Sequence, residues 1–342
     1  MGIQRALARA VDGHDLTDAE MTAAMEEILG GAADAAAVAG LLVALRMKGE
    51  TTGELVGAAR VLRARAVRVP GAPPGAIDTC GTGGDGAGTL NVSTAAGLVA
   101  AACGVPVAKH GNRAVSGRVG GADVLEALGV RLELPAAALG ECLRTTGFAF
   151  LFAPALHPAM RHAAAPRRAL GVRTLFNLLG PLANPAGVRR QVVGVFDRRW
   201  VTPMAEALAA LGTERAWVVH GAGGLDELAL EGESAVVEVV DGRLRAFTVT
   251  PAAAGLAPAP AAALAVGSVA GAAASLERVL AGERGPARDV VCLNAAAALV
   301  VAGAAPDLRA GAARAAGALD GGDAAALLGR VVRFTTQAGG TA

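Results

Sequence analysis

From Ala76 onward, short β-rich runs alternate with helix-length stretches, and this alternation limits the fold more tightly than anything else in the chain. The runs are Ala76–Thr79, Val105–Ala108, Phe148–Phe152, Gln191–Phe196 and Ala216–His220. Strands separated by helical crossovers return to the sheet in the same direction, so they pair in parallel. The expected class is α/β with a mostly parallel central sheet. A later segment, SAVVEVVDGRLRAFTV, holds two more strand-like runs around Asp241-Gly242, a dipeptide suited to a tight hairpin.

Ahead of the alternation, the first seventy residues read as short helices. Thr17 with Glu20, and Thr51 with Glu54, each match a capping box, in which the hydroxyl takes a backbone N–H and the acid reaches back. The proline and glycine cluster from Pro70 to Gly75 marks a linker. A second helical stretch, Pro158 to Leu179, interrupts the strand series. The expected organisation is a small all-helical domain over residues 1–72, with helices from about 158–185 packing onto it, and a larger α/β domain over 73–342. A chain of 342 residues is long enough for both.

Composition removes several classes of function. Net charge is +1 with acids and bases interspersed, so no nucleic-acid partner is expected. The uncharged stretch from Leu256 to Leu276 is long enough to span a bilayer, but it has a surplus of small residues, alanine above all, with two prolines and two glycines. Alanine gains little in lipid, and no membrane partner is expected. The first twenty residues have acids early and no apolar core, unlike a secretory signal. Cys80, Cys103, Cys142 and Cys292 are widely spaced and read as reduced thiols in a cytoplasmic protein.

Between the first two β-rich runs lies DTCGTGGDGAGTLNVSTAAG, Asp78 to Gly97. Gly81, Gly83 and Gly86 spell a dinucleotide-type fingerprint, but the acid expected at the end of the next strand is replaced by Lys109-His110. There is no G-K-[ST] either. Two readings stand: a tight strand-to-helix turn, or a cradle in which small residues and a helix start near Asn91 or Ser93 bring backbone N–H groups to a phosphate. The polar NVST run favours the cradle. Asp85, at the centre of an anion-binding loop, is then the anomaly.

Three more polar islands follow strands or helices. VAKHGNRAVSG, Val107 to Gly117, reads as a solvated basic loop or as a site at a strand end. HGAGGLDEL places Asp226 beside Glu227, either a surface turn or a magnesium site completed by waters and a substrate phosphate. The segment from His157 to Gly187 carries Arg161, Arg167 and Arg168, at the surface or paired with a carboxylate. Together the islands point to a metal-chelated phosphorylated substrate.

Six of these segments, in this order, resemble the anthranilate phosphoribosyltransferases of tryptophan biosynthesis: Gly81–Asp85, Asn91–Thr94, Lys109–Arg113, His157–Met160, Gly171–Pro185 and Gly224–Glu227. The resemblance covers almost the whole chain. It implies a homodimer that moves a phosphoribosyl group from 5-phosphoribosyl 1-pyrophosphate to anthranilate, with Mg2+, two ions per monomer. On that resemblance, Gly81, Gly84, Asp85, Thr89, Asn91, Val92, Ser93 and Thr94 line the donor. So do Lys109, His110, Gly111, Asn112, Arg113, Ala114, Val115, Ser116, Gly117 and Gly121. Gly81, Asn112 and Arg167 meet anthranilate; Ser93, Asp226 and Glu227 hold metal; Lys109, Asp226 and Glu227 are catalytic.

The resemblance leaves Asp85 open between ordering its loop and accepting hydrogen bonds from metal-bound water. The chain departs from the family after Ser116, where Gly117 and Val119 replace serines and Arg118 adds a charge. Donor affinity is therefore expected to differ. Two rivals share parts of this pattern, a pyrimidine nucleoside phosphorylase and a non-enzymatic nucleic-acid-binding paralogue.

Overall fold

The computed structural model describes residues 2–114 and 119–339. Seven strands form one sheet: β1 (Ile77–Gly81), β2 (Val107–Gly111), β3 (Phe148–Phe152), β4 (Arg190–Gly194), β5 (Arg215–His220), β6 (Ser234–Val240) and β7 (Arg243–Val249). Their order is β3-β2-β1-β4-β5-β6-β7. The first five run parallel, and β6 and β7 close one edge antiparallel. Asp241 (φ 47°) and Gly242 (φ 79°) make the β6–β7 turn, both in the left-handed region that this hairpin demands.

Period-two alternation sorts the strand residues between two cores. Val192, Trp217 and Val219 pack on one face with helix Pro286–Ala302, while Val193, Ala216 and Val218 pack on the other with helix Val201–Ala210. With both faces covered, the parallel strands are almost continuously buried.

The N-terminal helices are α1 (Gly2–Val11), α2 (Asp18–Leu29), α3 (Ala35–Lys48) and α4 (Thr52–Ala64). Both capping boxes are formed, at Thr17–Glu20 and Thr51–Glu54. Helix Arg161–Leu170 packs on α2 and α3, and the turn Phe176–Leu179 packs on α4. Among the described residues no helix is long and apolar enough to cross a membrane. The Leu256–Leu276 stretch breaks into short turns before helix Val269–Leu280.

One expectation needs correction. β2 does not stop at Ala108: it pairs with β3 along its full length, Lys109 opposite Phe150 and Gly111 opposite Phe152, so Lys109 and His110 are strand residues. The helical stretch from Pro158 to Leu179 is divided by Gly171 (φ 62°), which caps Arg161–Leu170 in the left-handed conformation.

The strand order reverses at β1. The chain runs outward to β2 and β3, then returns to lay β4 on the other side of β1. A crevice opens outside the carboxyl ends at such a point, and the site is there.

Candidate active site

A cleft of about 670 Å³ lies over the carboxyl ends of β1 and β2, walled by the glycine loop and by the start of α5 (Val92–Ala102). Three glycines at strand ends shape its floor. Gly81 closes β1, Gly194 closes β4 opposite it in register, and Gly221 follows β5. A Cβ on Gly81 would lie 2.5 Å from Asp226 Oδ2. One on Gly194 would collide with the Asp226 backbone, and one on Gly221 with the Glu227 carbonyl. The absent side chains let the Asp226–Glu227 segment lie flat across the strand ends.

The two carboxylates point to different parts of the cradle. Asp226 Oδ2 accepts from the Gly83 N–H at 2.8 Å, and Glu227 Oε1 accepts from the Ser93 N–H at 3.0 Å. Gly83 and Gly84, at φ 64° and 79°, turn the loop in a way few other residues tolerate. Asp85 Oδ1 accepts from the Ala87 N–H at 3.1 Å, a bond within its own loop. Its charge also faces Asp226. Burial, then the Asp85 charge, raises the Asp226 pKa; burial, then Asp226, raises that of Glu227, with Lys109 opposing.

Such a cluster of like charges calls for a cation. Among the described residues no three or more His, Cys, Asp or Glu side chains are arranged to hold an ion alone. Two carboxylates with the Ser93 hydroxyl nearby suit Mg2+, which keeps several waters and takes the rest of its ligands from substrate phosphate. The residues present fit that ion.

Lys109 lines the cleft from low in its floor. It is 3% exposed, and its ammonium donates to the Thr79 carbonyl and, at 3.2 Å, to Ser93 Oγ. From there it opposes the Glu227 charge and orients the Ser93 hydroxyl. His110, the next residue on the strand, turns its ring away to the Gly180 carbonyl (3.0 Å) and to His157, 5.0 Å between centroids. Burial holds the His110 pKa down at about 3 and that of His157 at about 4.

The basic loop is fastened at both ends by a residue that sequence reasoning missed. Asp123 Oδ2 accepts from the Ala114 N–H (3.2 Å) and the Gly120 N–H (2.9 Å). Arg113 is drawn to Asp123 and Glu126 at 2.9 and 2.8 Å, away from a role on phosphate in this conformation. Asn112 is exposed and accepts from the Arg113 N–H. Val115, Ser116, Gly117 and Arg118 lie outside the described residues; the Val119 carbonyl accepts from Asn91 Nδ2 at 3.3 Å.

The remaining candidates divide. Gly84, Gly111, Gly121, Thr89, Asn91, Val92 and Thr94 all border the cleft. Thr89 does so through a bridge to Ala265, which brings Ala265 and Val266, both missed, to the far wall. Arg167 is not on the cleft wall; its guanidinium sits 5.1 Å over the Phe176 ring, and burial lowers its pKa. Asn177, also missed, does reach the cleft. Gly194 carried the one legible signal among these missed residues, a glycine inside the β-rich run Gln191–Phe196.

The chain matches a family model described as the glycosyl transferase family a/b domain over residues 73–325, and its helical bundle domain over 4–66. It is 52% identical over 331 residues to the anthranilate phosphoribosyltransferase of Paramagnetospirillum magneticum, covering 97% of this chain and 95% of that one. The chain belongs to the anthranilate phosphoribosyltransferase family. The enzyme's structure from Thermus thermophilus superposes with a TM-score of 0.92 at 48% identity, over 97% of this chain and 99% of that one. The Saccharomyces cerevisiae enzyme, solved in complex with PRPP and Mg, has a TM-score of 0.89 at 25% identity, each chain being 98% covered. The a/b-domain match takes in every cleft residue named above.

Proposed function

We infer that this chain transfers the phosphoribosyl group of 5-phosphoribosyl 1-pyrophosphate to the amine of anthranilate. The products are N-(5-phosphoribosyl)anthranilate and pyrophosphate, in tryptophan biosynthesis. The observation that carries the reading is the convergence, over one strand-order reversal, of the glycine loop, the α5 N-terminus and the Asp226–Glu227 pair, in a chain 52% identical to such an enzyme.

The chemistry follows from where charge develops. Departure of pyrophosphate leaves oxocarbenium character at the anomeric carbon and accumulates negative charge on the leaving group. Bound Mg2+ supplies Lewis-acid stabilisation of that charge. Asp226, Glu227 and the Ser93 hydroxyl would hold it, two ions per monomer. The glycine loop from Gly81 to Thr89, Asn91–Thr94, the stretch from Lys109 to Gly117 and Gly121 would enclose the donor. Lys109, low in the floor, offsets the acidic charge and fixes Ser93. Gly81, Asn112 and Arg167 would orient anthranilate; its neutral aniline nitrogen is already nucleophilic, so orientation is what the protein must provide.

The enzyme would act in the cytoplasm as a homodimer. Support for a second copy comes from Val11 and Met47, 69% and 82% exposed on the mutually packed helices α1 and α3. The decisive assay follows anthranilate fluorescence. Consumption of the ribosyl donor that needs both anthranilate and magnesium supports the reading. Phosphorolysis of thymidine in its place would overturn it.

A further inference from the structure

Helix Pro286–Ala302 is apolar through its middle: residues Val290 to Val301 read VVCLNAAAALVV, with Asn294 as the one amide. Asparagine is a poor choice inside a helix, because its side chain competes for backbone hydrogen bonds. At a position only 3% exposed it also brings a polar group that must be matched. The match is complete. Asn294 Oδ1 accepts from the Leu228 N–H, and Nδ2 donates to the Leu228 carbonyl, both at 2.9 Å. The second Nδ2 hydrogen goes to the Val290 carbonyl at 2.9 Å, one turn back in the helix.

Leu228 follows Glu227, is fully buried and lies in no strand, so its N–H and C=O need a partner from elsewhere. The edge of a primary amide sets a donor beside an acceptor. Asn294 therefore exchanges both bonds with one residue, as a facing residue does in an antiparallel pair. One position on, the Ala229 N–H donates at 3.0 Å to Oγ of Ser234, which is fully buried at the start of β6. Upstream the fastening is weaker. The chain reaches the acids through Gly223 and Gly224, at φ 76° and 87°, and glycine restrains its neighbours little. Asp226 and Glu227 repel each other and Asp85, which favours lifting the segment off the strand ends. Gly81, Gly194 and Gly221 make room for that segment; they do not hold it down.

We propose that Asn294 is the positioning residue of the acidic pair: its amide, helped by Ser234, locks the backbone after Glu227 to helix Pro286–Ala302 and so fixes where the two carboxylates stand. The proposal rests on the metal-site reading above and extends it. A residue that orients ligands without touching the ion sets metal affinity or activity by about ten- to a hundredfold.

Asn294→Leu removes both bonds to Leu228 at similar side-chain volume. The probe is inorganic pyrophosphate with magnesium, titrated calorimetrically into the full chain. Its affinity should fall about tenfold, the lower end of that range, while the anthranilate KM of the same protein stays within about twofold. Should that variant fail to fold, Ser234→Ala removes a single bond from the same stretch and should weaken magnesium pyrophosphate about threefold. An amide that served packing alone would lower the urea midpoint and leave the affinity of the folded protein unchanged. That result overturns the proposal, and so does an equal loss of affinity for pyrophosphate and anthranilate. Wild-type protein that binds no pyrophosphate even with magnesium brings down the metal-site reading, and the proposal with it.

Discussion

The two halves of the cleft are built differently. Everything assigned to the metal, and most of what is assigned to the donor, comes from the sheet, the loops at its strand ends and α5: strand ends at Gly81, Gly194 and Gly221, the acidic pair laid over them, and Lys109 low in the floor. These groups contact one another directly. The groups assigned to the acceptor are scattered. Asn112 is on an exposed loop, and Arg167 is on a helix packed against α2 and α3, its guanidinium over Phe176. A polyanion needs a dense, preorganised cradle because its charge must be matched at several atoms. A monoanionic aromatic acid needs one cation and a surface, and those can sit on a second body.

If that contrast holds, damage on the donor side should be severe and damage on the acceptor side selective. The largest loss is expected for Asp226→Asn combined with Glu227→Gln: turnover at ordinary magnesium should fall more than about a thousandfold, as two hard anionic ligands are lost. Near-normal rates at sub-millimolar magnesium would remove the pair from the mechanism. Next is Gly194→Val, which touches no ligand. Its side chain must push the Asp226 backbone off β4, and we expect kcat/KM to drop on the order of a hundredfold, the scale of a catalytic group misplaced by about an ångström. The magnesium concentration for half-maximal rate should rise with it. A fall in rate at unchanged magnesium dependence would mean that the glycine serves only the sheet.

On the acceptor side, Arg167→Ala should raise the anthranilate KM by roughly ten- to a hundredfold, the range of a lost charge-assisted bond. The donor KM should hardly move. Equal effects on both would show that the arginine braces Phe176 and nothing more.

Between the halves sit two buried histidines, and they set an acid limit on the fold. His110 and His157 have folded pKa values of about 3 and about 4, below the ordinary 6.5. The unfolded chain therefore binds more protons as pH falls below 6.5, and the stability these groups contribute, full above that pH, is lost as pH drops toward 4. The slope is about 1.4 kcal/mol per pH unit for each histidine, or tenfold in the unfolding constant. Urea midpoints measured at pH 7, 6 and 5 check it; His110→Gln should flatten the dependence, and an unchanged slope would mean that the ring is hydrated in solution.

The donor half was also the legible half. Glycines, NVST and the adjacent acids are local signals, and parallel strands deliver local signals to one crevice. What sequence order does not show is which side chain reaches across it. The resemblance puts Lys109 on the donor, and strand pairing with β3 buries it next to Ser93. Gly81 reads as a ligand contact, and its missing Cβ also makes room for Asp226, 145 residues on. Gly194 reads only as a glycine inside a β-rich run, yet it makes room for Asp226, while Asp123 ties down its own loop through the Ala114 and Gly120 N–H groups; residue type alone does not announce those partners. Arg167 was singled out by the resemblance, while Arg173, six residues later, makes the contact to the glycine loop.

That contact gives the smallest effect and the sharpest test of the division. Arg173 lies between helix Arg161–Leu170 and the turn at Phe176–Leu179, on the side that packs with the N-terminal helices. Its guanidinium donates to the Gly84 carbonyl at 2.6 Å and covers the Phe196 ring at 4.4 Å. Phe196 in turn donates its N–H to Thr82 Oγ1 at 3.0 Å, so both ends of this brace hold the glycine loop. The residue is exposed, so water replaces much of what is lost, and Arg173→Ala should lower kcat/KM only about fivefold, near 1 kcal/mol. Unlike Arg167→Ala, it should raise both KM values together, because it loosens the donor loop from the acceptor side. Arg173→Lys reaches the carbonyl but does not stack flat on Phe196, so it should recover part of the loss. A change confined to the anthranilate KM would place Arg173 wholly with the acceptor half, and the two halves would then communicate through some other contact.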